Sequence, residues 1–302
     1  MSQSTAPPGL VDSWNISGPT ASRTSAPRSA SSRASWRETT DLPQPSRGAD
    51  AAGANDGGKR GQELGGEAGK QTIPYSPRMN QPIPHPTVTA PASELIDRLN
   101  WRYAAKKMDP AKAVPQDKVE RILEAARLAP TSSGLQPYEI LVVTDPAVRA
   151  RIQPIAWNQA QITEGSHLLV FAAWDHYTAE RINHMFDLTN EVRGFRSEGW
   201  ENYRNMLLST YPQRDPEVNF QHAARQAYIG LSAAMVAAAF EEVDCTPMEG
   251  FDPAALDEIL GLRARGLRSA VILPLGYRQP EGDWLVNLQK VRRPRSAFIT
   301  EV

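Results

Sequence analysis

The sequence predicts a three-layer α/β or α+β domain over roughly its last two-thirds, preceded by a segment without a core of its own. Three observations lead there. Residues 1–88 hold only eight Ile, Leu, Val or Phe, namely Leu10, Val11, Ile16, Leu42, Leu64, Ile73, Ile83 and Val88. That is about 9%, against the roughly 20% expected of folding chains, and too little apolar surface to offset the entropy of ordering. From Pro91 onward apolar residues recur at helical or alternating spacing over about 210 residues, enough for one sizeable core. Helical and strand-like segments are mixed without the regular alternation of a doubly wound sheet.

Each element has its own signal. Ser93 is placed to cap a helix that puts Leu95, Ile96, Leu99 and Tyr103 on one face and continues to about Lys107. After Pro115, Val119, Ile122, Leu123 and Ala126 recur at helical spacing, and the element stops before Pro130. Thr131–Pro137 reads as a loop, Tyr138–Asp145 as a β-rich run, then a helix to about Trp157, then a buried strand from Ser166 to Trp174. Two long helices follow, about Thr178–Leu208 and Val218–Glu242, separated by Tyr-Pro-Gln-Arg-Asp-Pro-Glu. The second is crowded with Gly230, Ser232, Ala233, Ala234 and Ala237, which suits a central helix or a subunit interface. Asp244–Met248 reads as a strand, Pro253–Leu260 as a helix and Ser269–Tyr277 as a third buried strand. Pro274 cannot donate to a ladder, which predicts an edge or a bulge there.

Composition excludes several classes. A net charge of −1 gives no field that would gather a nucleic acid. The most apolar stretch, Ile229–Phe240, is largely alanine and flanked by Arg225 and Glu241, which argues against a membrane span. The single cysteine, Cys245, excludes an internal disulfide and suits a reducing compartment. Residues 1–88 read as a disordered extension; a start near Met79 and an organellar transit peptide are alternative readings. Residues 89–302 form the domain.

Motif absences narrow the chemistry. There is no G-x-G-x-x-G after the first strand, no P-loop, no C-x-x-C, H-E-x-x-H or G-x-S-x-G, and the five histidines are scattered. With neither a metal set nor a recognisable nucleophile, the sequence points to a borrowed cofactor. Positive charge clusters twice, at Arg102, Lys106 and Lys107 and again at Lys290–Arg295. Each alone is usually a solvated surface; together they could clamp one phosphate, although composition does not show that they meet.

Seven segments in order carry a resemblance across Glu94–Val302: R-Y-A-A-K-K at 102–107, A-P-T-S-S-G-L-Q-P at 129–137, W-N-Q at 157–159, R-Q-A-Y at 225–228, P-M-E-G-F-D at 247–252, V-I-L-P-L-G-Y at 271–277 and K-V-R-R-P at 290–294, closed by T-E-V. The chain resembles the nitroreductase family, in its oxygen-insensitive NAD(P)H nitroreductase and dihydropteridine reductase branch. The resemblance implies an α+β fold with a central, mainly antiparallel sheet wrapped by helices, an intertwined homodimer with a C-terminal arm crossing to the partner, and FMN at the interface. It places Arg102, Lys290 and Arg292 on the FMN phosphate, counts Tyr103 and Ala104 among the cofactor-binding positions, and puts Lys106 by the pyrimidine edge, where its charge polarises the flavin. No certain catalytic acid or base and no metal are implied. Pro130, Thr131, Ser132 and Ser133 match the loop reaching the flavin from the other subunit. Asn158 matches an amide at the ring's polar edge, Glu249 and Gly250 the pair near flavin N5, and Tyr203 a gating aromatic at the substrate.

Departures are Ala104 for a hydroxyl residue, Tyr138 for tryptophan, and Gly134 and Leu135 for polar residues. The activity implied is two-electron transfer from NADH or NADPH to small nitroaromatic, quinone or pterin acceptors by a ping-pong cycle in the cytoplasm. A flavin sensor or flavin-modifying protein of the same fold is the alternative.

Overall fold

All eight residues of His-Leu-Leu-Val-Phe-Ala-Ala-Trp at 167–174 are buried, so both faces of that strand are covered. In the computed structural model, which describes residues 92–302, the cover is helical on both sides. The elements run α1 (Ala92–Trp101), α2 (Gln116–Arg127), β1 (Tyr138–Val143), α3 (Pro146–Ile155), α4 (Gln161–Glu164), β2 (His167–Trp174), α5 (Ala179–Arg193), α6 (Glu198–Thr210), α7 (Pro216–Phe240), β3 (Asp244–Cys245), α8 (Pro253–Leu260), β4 (Leu267–Gly276) and α9 (Arg295–Phe298). The proposed extension 1–88 and the alternative start at Met79 lie outside the described residues.

The sheet has the order β1-β2-β4-β3 with every pairing antiparallel, so the fold is α+β. Alternation sorts its two faces. Leu169, Phe171, Val271 and Leu273 pack with Val119, Ile122 and Ala126 of α2 and Ala227, Leu231, Ala234 and Ala238 of α7. Leu168, Val170 and Ile272 pack with Ile152 of α3, Ile162 of α4 and Leu256 of α8. Each large side chain so buried contributes roughly 1.5–3 kcal/mol. Small residues let α7 lie close: a Cβ on Gly230 would stand 2.8 Å from Cζ of Tyr138, whose hydroxyl donates to the Ala126 carbonyl at 2.9 Å. Among the described residues no helix is long and apolar enough to cross a membrane.

Helix starts follow their caps. Asp145, Thr178, Ser197, Asp215 and Asp252 each accept a backbone N–H from the first turn of the helix that follows. Four expectations are corrected. The first helix begins at Ala92, ahead of Ser93, and ends at Trp101 instead of Lys107, because Tyr103 and Lys106 bond elsewhere in the fold. The long helix 178–208 breaks in two at Gly194, which takes a left-handed φ of 72° and ends α5 with its N–H on Asn190. β3 stops at Cys245, leaving Met248 as an isolated bridge to Ile272. Pro274 lies in an inner strand, and the register shift falls at Phe171/Ala172. Its carbonyl meets Thr246 N at 3.4 Å, so its missing N–H faces the side on which β3 has ended.

Candidate functional site

The segment after α1 runs antiparallel beside the segment after β4. Backbone bonds join Asp109 N to Tyr277 O at 2.8 Å and Gln279 N to Lys107 O at 3.1 Å, with a bridge between Met108 and Arg278. Beyond that ladder, side chains take over. Asp283, buried, accepts the Tyr103 hydroxyl at 2.8 Å and Lys106 N at 2.9 Å on Oδ2, and Leu285 N at 2.9 Å on Oδ1. Lys290 Nζ donates to Leu99 O at 2.5 Å and to Arg102 O, satisfying carbonyls that the end of α1 leaves without intrahelical partners.

This zipper brings Arg102 of the first basic cluster to Lys290 and Arg292 of the second, while Lys107 pairs with Glu164. Arg102, Tyr103, Ala104, Lys290 and Arg292 line one cleft of about 520 Å³, with Arg278 in its wall. Arg278 is paired with buried Asp244, Nε to Oδ1 at 2.9 Å, and lies over the rings of Trp101 and Tyr103 at 4.3 and 4.5 Å. Burial, then the neighbouring Arg102, Arg292 and Arg278, push the Lys290 ammonium below the ordinary lysine value. Arg102 Nε is buried without a hydrogen-bond partner. Crowded cations and an orphaned guanidinium N–H fit an anion such as a phosphate, because it would relieve the repulsion and accept the free donors. Burial pushes the neighbouring Cys245 thiol up to about 11, so it takes no part at neutral pH.

A second group forms around Trp157–Gln159. Trp157 and Asn158 carry consecutive positive φ values of 54° and 53°, and Asn158 N bonds Gln153 O at 3.1 Å beyond the end of α3. The Asn158 side chain is exposed. Gln159 Nε2 donates to Gly250 O at 3.0 Å, and the Trp157 ring covers Gly250 so closely that a Cβ there would stand 2.7 Å from it. Exposed Glu249 accepts the Tyr228 hydroxyl at 2.5 Å. The Ala105 carbonyl ties this group to the basic segment, accepting from Thr246 Oγ1 at 2.9 Å and Gln161 Nε2 at 3.0 Å.

The third group is the loop after α2. Pro130 and Ser132 are exposed, Thr131 and Ser133 half-buried. Thr131 Oγ1 accepts Gln136 N at 3.0 Å, Ser132 N donates to Gln226 Oε1 at 2.8 Å, and Ser133 holds φ 57°. The Ser133 and Tyr203 hydroxyls meet at 2.6 Å. Tyr203 belongs to an aromatic stack in which Phe186 and Trp200 lie 4.3 Å apart. This loop and Tyr203 share no direct hydrogen bond with the basic cleft among the described residues.

Sequence reasoning missed Asp283, Arg278 and Asp244, whose partners are remote in sequence, and Trp157, which is 76% exposed despite its size. Glu-Gly-Asp at 281–283 gave no signal by itself. The paired positive φ at Trp157–Asn158 could not be read from residue types either.

The comparisons with known proteins agree with this architecture. The nitroreductase family model matches residues 99–277. The major NAD(P)H-flavin oxidoreductase of Aliivibrio fischeri is 31% identical over 214 residues, 68% of this chain and 97% of that protein. The oxygen-insensitive NAD(P)H nitroreductase of Salmonella typhimurium is 27% identical over 214 residues, 67% and 96% of the two chains. Among solved structures, an Exiguobacterium sibiricum nitroreductase in complex with FMN superposes with a TM-score of 0.58 at 18% identity, covering 70% of this chain and 98% of the other, a likeness of fold. A model match over more than half of the sequence, joined to a relative aligned almost end to end, makes this chain a member of the nitroreductase family.

Proposed function

We propose that the protein is an FMN-dependent oxidoreductase that moves two electrons from NADH or NADPH to small nitroaromatic, quinone or pterin-type acceptors by a ping-pong cycle. The observation that carries this reading is the meeting of Arg102, Lys290 and Arg292 in one cleft with Arg102 Nε unpartnered. FMN, when bound, supplies the two-electron carrier. Arg102, Lys290 and Arg292 would hold its phosphate, with the Tyr103–Ala104 backbone beside them. Lys106 would face the pyrimidine edge and favour negative charge there. Asn158 would bond the ring's polar edge, while Glu249 and Gly250 would present backbone near N5. Pro130–Ser133 would come from the second subunit of a homodimer, with Tyr203 at the acceptor.

The dimer is supported by α7, where Ser232, Ala233 and Ala237 line an open groove with Ala125, Tyr228 and Ile229. Such a face of small residues suits close helix approach. We take 89–302 as the functional domain, 1–88 as an extension and the cytoplasm as its setting, in keeping with a free, buried cysteine.

The test is direct. The purified protein should be yellow, and NADH or NADPH added under nitrogen should bleach the flavin band, with a quinone restoring it. A colourless protein that takes up no FMN overturns the reading; a yellow protein that no nicotinamide bleaches returns it to a flavin sensor.

A further inference from the structure

The two basic clusters are separated in sequence by nearly the whole domain, and something must set their spacing. The backbone ladder between the two segments ends at the Gln279–Lys107 bond. Toward the cleft the segments are also joined by Arg278 Nη2 on the Trp101 carbonyl at 3.4 Å and by Lys290 on the carbonyls of Leu99 and Arg102. Between these points stands one buried carboxylate. Asp283 Oδ2 takes both the Tyr103 hydroxyl and the Lys106 N–H, while Oδ1 takes Leu285 N and fixes the turn that leads into Lys290.

We propose that Asp283 is a positioning residue that sets the spacing of the phosphate clamp by tying Tyr103 and Lys106 to the turn before Lys290 and Arg292. The proposal rests on the flavin reading given above. An anionic side chain this near a site for an anion works against binding by charge alone, so its contribution is geometric. Burial pushes its carboxyl up, but the N–H groups of Lys106 and Leu285 and the Tyr103 hydroxyl outweigh burial and hold it below the usual carboxylate range. It is therefore ionised at neutral pH and accepts all three donors at once. Arg278, lying over the Tyr103 ring, keeps that phenol aimed at Asp283.

The experiment compares FMN with riboflavin, which lacks the phosphate, on the full-length apoprotein, reading dissociation constants by flavin fluorescence and unfolding midpoints without flavin. Asp283→Ala should weaken FMN about tenfold or more, the scale of one or two lost hydrogen bonds to a charged group, and change riboflavin by less than about threefold. Tyr103→Phe, which removes a single bond and keeps the ring, should shift FMN in the same direction by about three- to tenfold. Asp283→Asn should recover only part of the FMN affinity, because its amide oxygen can still accept from both Tyr103 and Lys106 while its NH2 replaces the oxygen that accepts Leu285 N.

Equal losses for FMN and riboflavin, tracking the loss of unfolding midpoint, would reduce Asp283 to a merely structural residue and overturn the proposal. Unchanged FMN binding in Tyr103→Phe and Asp283→Ala would do the same, and if Asp283→Ala does not fold, Tyr103→Phe decides. Wild-type protein that binds neither flavin overturns the flavin reading and this proposal together, whereas flavin binding by the wild type with nonselective losses in the variants overturns this proposal alone.

Discussion

The basic cleft and the loop group around Ser133 and Tyr203 are built on different principles. The cleft is held by a backbone ladder, a buried carboxylate and a lysine that caps a helix end. The loop group is held by a few hydroxyl and amide contacts around half-buried residues, and it carries unusual backbone: Ser133 and Gln136 are two of the five non-glycine residues with positive φ among the described residues. The cross-linked side suits a ligand that stays, and the lightly tied side one that exchanges. Strained, sparsely bonded segments open locally at low cost.

The largest expected effect tests the tied side. Arg102→Ala and Arg292→Ala should each weaken FMN by roughly 10- to 100-fold while leaving riboflavin little changed, and the double variant should not simply add because the donors share a ligand. Unchanged FMN dissociation constants in both would remove the clamp. Lys106→Ala should keep the flavin but slow its reduction by roughly tenfold in stopped-flow traces, since on the proposed placement its charge would act on the ring and not on the phosphate.

The clamp should also titrate. Lys290 sits below the ordinary lysine value of 10.5, so it loses its charge earlier as pH rises. FMN affinity should therefore fall with rising pH, beginning below the range in which a free lysine titrates, and Lys290→Arg should remove that step. On the loosely tied side, Tyr203→Phe should cost under about 1 kcal/mol of stability, the worth of one half-exposed hydrogen bond. It should alter acceptor turnover by a few-fold with FMN binding unchanged; a loss of FMN would mean that the two regions are coupled. Smallest of all, removing residues 1–78 should leave folding and FMN affinity as they are, measured by unfolding midpoint and flavin titration.

Legibility followed the range of the interactions. Helix starts after Asp145, Thr178 and Asp252 were readable because the cap lies beside the turn it caps, whereas α7, expected from Val218, starts two residues earlier behind its cap Asp215. The end of α1 was not, because Arg-Tyr-Ala-Ala-Lys-Lys contains no breaker and the helix yields instead to Asp283, 180 residues from Tyr103. The break at Gly194 was local but competed with good helix formers on both sides. The two basic clusters were visible as composition, and their meeting was not, since it depends on Lys290 reaching Arg102 across 188 residues. The segments quoted for the family resemblance were legible as a series, while Trp157 over Gly250 had to be seen in three dimensions.

Pro274 has a consequence for the chain opposite it. A residue with an N–H at that position would offer Thr246 a second bond, and β3 would run without a gap from Cys245 to the Met248–Ile272 bridge. With only a carbonyl to offer, at 3.4 Å from Thr246 N, β4 holds Thr246 by a single long bond. Thr246 spends its hydroxyl on the Ala105 carbonyl, and the chain returns to β4 at Met248, whose two backbone bonds with Ile272 measure 2.9 and 3.1 Å, directly before Glu249 and Gly250. A sheet can thus loosen a single rung, and free a neighbour's hydroxyl for another segment, by omitting one donor, with no need for a bulge or a charge to repel the strand.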